Sequence, residues 1–158
     1  QLSGEYMLLV GSLIVVLMIS IFLIANENEL NIAMAAAKSG ADEGVASSSS
    51  AIYPKETFNE YDDMEGLKHP YSVSIVNVSY NSSGIDENYG KQKIQFKVYA
   101  KASVDYNKKE LDSIGDRINY NLRKSVAMSF NTVDSTNKLY NPVFSNNYVF
   151  TTANVVWV

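Results

Sequence analysis

Twenty consecutive residues without a formal charge, Tyr6 to Ala25, constrain this chain more than anything else in it. Only Gly11, Ser12 and Ser20 interrupt the bulky apolar side chains. As an α-helix rising 1.5 Å per residue, the run spans about 30 Å, the thickness of a bilayer's hydrocarbon core. It is apolar on every side, so it cannot be the half-wetted helix of a soluble domain. A secretory signal peptide fits it poorly, because such a peptide has a shorter apolar stretch behind a basic segment. Here the preceding residues, Gln1 to Glu5, carry a carboxylate and no basic side chain.

The helical pattern continues beyond the run. No proline occurs before Pro54, and Leu30, Met34, Ala37, Ala41 and Val45 recur at helical steps. The expectation is a helix ending near Ser47–Ser50, a rod on the order of 75 Å long. Its second half is lean: Ala33, Ala35, Ala36, Ala37, Gly40, Ala41, Gly44 and Ala46 supply little bulk. Gly40 and Gly44 stand in GxxxG spacing, which lets two helix backbones approach closely. An alanine-rich linker helix is the plainer reading of this segment. Joined to the apolar rod ahead of it, the segment is expected to pack tightly against other helices, with Gly40 and Gly44 as assembly residues.

Charge separates the chain into two parts. Residues 1–53 hold Glu5, Glu27, Glu29, Asp42 and Glu43 against Lys38 alone, which accounts for the whole formal net charge of −4. The remainder, 54–158, balances its acids and bases. It therefore sets up no strong field for nucleic acid, which is not an expected partner. With no cysteine, thiolate metal centres and disulfides are excluded. The single histidine, His69, lies beside Pro70 in a loop-like stretch and suggests no metal site. No nucleophile–base pair and no phosphate-binding glycine loop occur either, so neither catalytic residues nor an enzymatic role is expected.

From Pro54 the texture becomes short and alternating. Tyr71 to Tyr80 alternates but slips phase at Val76, as a β-bulge would make it do. Ile94, Phe96, Val98, Ala100, Ala102, Val104 and Tyr106 alternate without error, and residues 81–90 read as a long hairpin connection. Leu111, Ile114, Ile118, Leu122 and Val126 mark an amphipathic helix from Lys109 to about Ala127, with Asn107 placed to cap it. Tyr148–Thr151 and Val155–Val158 suggest two more strands. The expected fold class is α+β: a long N-terminal hydrophobic helix (1–53) followed by a small β-rich head (54–158), an antiparallel sheet with one amphipathic helix.

Gln1, Ser3, Glu5 and Tyr6 form a Q-x-S-x-E-(Y/F) pattern directly before the apolar run. In this the chain resembles archaeal type IV pilins with class III signal peptides, known chiefly from methanogens. The resemblance covers about the first 25 residues and implies that a prepilin peptidase cuts a basic leader immediately before Gln1. It further implies that the apolar helix waits in the cytoplasmic membrane and then becomes the core of an extracellular filament. An assembly ATPase and a membrane platform protein are implied as partners. Unlike bacterial type IV pilins, the chain starts with Gln instead of Phe, has Phe22 where a helix-melting proline is typical, and lacks paired C-terminal cysteines. Its start also differs from that of archaellins.

A carboxylate at the rim of an apolar helix is costly if it must enter lipid, by several kcal/mol on the order of the known burial penalties. As a helix-start residue at headgroup level, Glu5 is merely favoured by the macrodipole. In a filament it is expected to pair with the amine of a neighbouring subunit's Gln1, provided that Gln1 has not cyclised.

Asn77-Val-Ser79 and Asn81-Ser-Ser83 are N-glycosylation sequons, so N-linked glycans are the only attached groups expected and no cofactor is. Asn81, expected in the turn, looks the more accessible of the two. Lys91, Lys93, Lys97 and Lys101 share one strand parity. They read either as a polyanion-binding stripe or, more simply, as a solvated face whose lysines guard a sheet edge. Together these features predict a self-polymerising structural pilin at the cell surface, serving attachment. A non-polymerising, singly anchored binding module is the alternative, as is a minor pilin or pseudopilin.

Overall fold

The computed structural model describes residues 2–46 and 71–158. The elements in chain order are α1 (Leu2–Ala46), β1 (Val73–Asp86), β2 (Lys91–Ala102), α2 (Lys108–Ser129), a 3-10 turn at Val133–Ser135, β3 (Val143–Phe144), β4 (Tyr148–Thr152) and β5 (Val156–Trp157). The fold is α+β, as expected. The predicted helix end near Ser50 lies outside the described residues, as do His69 and Pro54. The chain forms two compact units, Gln1–Ile32 and Ala33–Val158. The last third of α1 is thus grouped with the strands and α2, and the expected boundary near residue 53 lies outside the described residues.

In the first unit, residues 6–21 of α1 turn an apolar surface outward on all sides. Ser12 and Ser20 do not disturb this, because each satisfies its hydroxyl on the helix itself. Ser12 Oγ donates to the Leu9 carbonyl (2.9 Å) and Ser20 Oγ to that of Val16 (2.8 Å). A polar group paired in this way escapes most of the cost of an apolar environment.

The second unit is layered: the Ala33–Ala46 stretch of α1, then α2, then a five-stranded sheet. Helix α2 begins with the anticipated cap, extended into a full capping box. Asn107 Oδ1 accepts from the Glu110 amide (2.8 Å), and Glu110 Oε2 accepts from the Asn107 amide (3.1 Å). Ile118, Leu122 and Val126 are completely buried and Ile114 nearly so. Each such side chain contributes about 1.5–3 kcal/mol relative to exposure. Toward the sheet, Gly115 leaves room for Val155, and Asn119 Nδ2 donates to the Ala153 carbonyl (2.9 Å). Arg123 ties the same face down, donating to Thr152 Oγ1 (2.6 Å) and to the Leu139 carbonyl (3.2 Å).

The sheet order is β1-β2-β4-β3, with β5 also on β2. It is mixed, which corrects the expectation of an antiparallel sheet. β1 pairs antiparallel with β2 and β3 with β4, but β4 and β5 both run parallel to β2. The cause is the long connection after β2: α2, the 3-10 turn and β3 return the chain to the end where β2 began, so β4 and β5 run in the direction of β2 while β3 runs against it. β4 and β5 act as one interrupted strand, bridged where the Ala153 amide donates to the Phe96 carbonyl (2.8 Å). The buried face of β2, Ile94, Phe96, Val98 and Ala100, meets Phe150, whose ring stacks on Phe96 and Phe130 with centroids 5.6 and 5.8 Å apart.

One further expectation holds and two change. The register slips between Ile75 and Asn77, which leaves Val76 as the extra residue of a bulge, as the phase slip suggested. The long connection expected over 81–90 is instead mostly strand. β1 runs to Asp86 through a second irregularity between Ser82 and Ile85, where Gly84 takes φ 83°, and only a tight turn follows. β2 in turn ends at Ala102, so Val104 and Tyr106 lie beyond it.

Candidate assembly helix and glycan-bearing face

The stretch Ser3–Ile21 is long and apolar enough to cross a membrane, and none of it is buried within the chain. Leu8, Leu9, Leu13, Val16 and Met18 each keep more than half of their surface exposed. Glu5 lies in the first turn of α1 and is exposed, as are Ser3 and Tyr6. A carboxylate in a helix's first turn is favoured by the partial positive charge of the free amides there. Gln1 lies outside the described residues.

Gly40 and Gly44, expected to bring neighbouring subunits together, are used inside the chain. A methyl group placed on Gly40 would fall 2.7 Å from the Asn121 carbonyl oxygen and 2.8 Å from the Leu122 Cα. On Gly44 it would fall 3.0 Å from the Ile118 Cα. Ala33, Ala37 and Ala41 on this side are fully buried and Ala36 nearly so, whereas Leu30, Met34 and Val45 are only half-buried. The seam is therefore rotated from the one that the larger apolar residues suggest. Close backbone approach selects the smallest side chains, and the bulkier ones flank it. The surface that receives the seam, Arg117, Asn121 and Ser125 on α2, carries polar residues, so hydropathy gave no sign of it.

Asn77 and Asn81 are both exposed, and both lie on β1. The register sets Asn77 opposite Tyr99, Ser79 opposite Lys97 and Asn81 opposite Gln95. Residues facing each other across a ladder point to the same side. The two sequons therefore share the sheet face turned away from α2, about 13 Å apart along the strand. They share it with the lysines of β2, a central strand, so these lysines guard no edge. Lys91 is occupied locally: its ammonium donates to the Ser145 carbonyl (2.6 Å) and sits 5.5 Å from the Phe144 ring centre. Lys97 lies over Tyr99 at 5.8 Å. Sequence spacing revealed the lysine row but not its neighbours, since cross-strand register is a non-local property. Among the described residues, no group of three or more His, Asp or Glu side chains is placed to hold a metal ion. Comparison with known proteins finds no matching family model, no matching curated protein and no matching solved structure.

Proposed function

We propose that this chain is the structural subunit of an extracellular type IV-like pilus, polymerising through its N-terminal helix into a helical filament used for surface attachment. The observation that carries the reading is the wholly unburied apolar helix Ser3–Ile21 with a carboxylate in its first turn. Such a surface demands either lipid or other copies of itself. Burial among copies contributes about 25 cal/mol per Å² of apolar area removed from water. Lipid supplies the same gain, so transfer from the cytoplasmic membrane to the filament does not run downhill unaided. An assembly ATPase and a platform protein would drive it, after a prepilin peptidase has released the subunit. Glu5 gives the helix a reason to leave. A permanent anchor gains from a rim carboxylate only the modest favour of the helix's free first-turn amides, whereas in a protein core a counter-charge from a neighbouring subunit fixes the axial register.

Shearing cells and imaging the released fraction tests this directly. Thin filaments containing this chain are expected, and they should vanish when Glu5 is replaced by Ala. A chain that stays with the membrane fraction after shearing would overturn the polymer reading in favour of a fixed anchor.

A further inference from the structure

Two features of the sheet face turned away from α2 remain unused by a role in assembly: the sequons of β1 and the lysines of β2. Asn77 is exposed, and among the described residues its side-chain amide has no hydrogen-bond partner, which leaves the acceptor nitrogen available. Its cross-strand partner is Tyr99, a half-buried ring on the same face. Opposed side chains on a ladder sit about 5 Å apart at Cβ, within reach of the first sugar of an N-linked glycan. A pyranose has one face of C–H groups, and a tyrosine ring offers a matching flat surface. Asn81 faces Gln95 instead and has no ring opposite it.

Among the described residues that the β1–β2 ladder places around this ring, the charged ones are lysines. Lys97 stands opposite the sequon serine, Ser79, with its ammonium 5.8 Å from the Tyr99 ring centre. Lys101 is exposed and stands opposite Ser74. Among the described residues, neither ammonium has an ion-pair partner. The residues that β1 contributes to this part of the face, Ser74, Asn77, Ser79 and Asn81, are all neutral.

We infer that Asn77 is the principal glycosylation site and that its glycan lies back on the sheet, the first sugar against Tyr99 and an acidic sugar, bearing carboxylate or sulfate, on Lys97 and Lys101. The inference rests on the cell-surface reading above, because only an exported chain meets the glycosylation machinery. It reverses the preference for Asn81 that a turn position suggested. The glycan then acts as an outer layer of the fold, covering a face that α2 leaves open.

The test uses full-length protein from its native membrane or filament fraction. Glycopeptide mass spectrometry is expected to show Asn77 occupied in most molecules, with at least one uronate or sulfated sugar. Enzymatic or chemical deglycosylation should lower the Tm by about 4 °C, a shift typical of losing roughly 1 kcal/mol in a domain of this size. In a Tyr99→Ala variant the same treatment should change the Tm by less than a third as much. In a Lys97→Gln/Lys101→Gln variant the loss should be intermediate. A glycan on Asn81 alone, a neutral glycan, or an equal Tm loss in the Tyr99→Ala background overturns the inference while leaving the pilus reading intact. Complete absence of a glycan overturns it as well. Absence of filaments from the sheared fraction, with the Asn77 glycan present and coupled to Tyr99, would sink the pilus reading and spare this one.

Discussion

Gly40 lies against Leu122 so closely that a methyl group on it would fall 2.8 Å from the Leu122 Cα. Two helix backbones meet there with no space for a side chain, and the obstacle is main chain that cannot swing aside. Gly40→Ala should therefore destabilise the second unit despite the gain of about 1 kcal/mol in helix propensity. Overpacking costs typically 1–3 kcal/mol, so a net loss of about 1 kcal/mol is expected. At Gly44 the nearest atom is 3.0 Å away, and Gly44→Ala should come out near neutral. Near-UV circular dichroism melts of the full chain in detergent give the order. A Gly40→Ala protein melting above wild type would remove the close-approach account of this seam.

The start of α2 makes a second prediction. Asn107 and Glu110 exchange side-chain-to-amide hydrogen bonds of 2.8 and 3.1 Å. Replacing Asn107 by Ala should cost ~1 kcal/mol, and replacing it by Ser much less, since serine also caps. Chemical denaturation of the three proteins should show unchanged m-values and midpoints in the order wild type, Ser, Ala.

Alkaline pH singles out Tyr120. Burial pushes its phenol above the usual value of 10.0, and the neighbouring Tyr140 adds to the effect through charge and a hydrogen bond, against a smaller opposing pull from Arg123. The folded state then holds this proton to a higher pH than the unfolded chain does. The contribution is fully present below pH 10 and is lost as pH rises from there through the folded-state value. Tyr120→Phe should therefore lose less stability than wild type between pH 9 and 12. Urea midpoints across that range provide the check, and parallel curves for the two proteins would show that Tyr120 does not carry the effect.

How far these features were legible in the sequence depends on how local their causes are. The span of α2 and its Asn107 cap follow from spacing along one helix, and both are found nearly where the pattern puts them. The Val76 bulge was visible as a phase slip within one strand. The direction of β4 and β5 was not legible, because it depends on where the α2 crossover returns the chain. β1 runs on through Asn81-Ser-Ser-Gly84 since Gly84 supplies a positive φ inside a bulge, whereas composition alone marks such a stretch as a turn. In α1 the GxxxG spacing marked Gly40 and Gly44 as a close-approach site but not its partner, α2 of the same chain, and Leu30, Met34 and Val45 drew the apolar face to one side of it. The contact itself is made by glycines and alanines, which hydropathy scarcely registers. Tyr99 as the neighbour of Asn77 required the register of a ladder.

The separation of the chain into Gln1–Ile32 and Ala33–Val158 makes a last prediction possible. Leu13 stands in the middle of the apolar run with more than half its surface exposed, and no part of Ser3–Ile21 is buried within the chain. Leu13 belongs to the first unit, so an arginine there alters none of the described packing within the second. It does oppose membrane insertion by about 2.5–3.5 kcal/mol at the centre of a span. The same charge inside a filament would face apolar helices with no partner, which is costlier still. Leu13→Arg should therefore leave the Tm of the second unit unchanged in detergent, reduce the membrane-bound fraction in cells by at least tenfold, and eliminate filaments. Fractionation, immunoblotting and electron microscopy of one culture separate the three effects. A lowered Tm would show that α1 stabilises the second unit through its apolar run and not only through the Ala33–Gly44 seam. Normal filaments would show that the run is not the polymer's core.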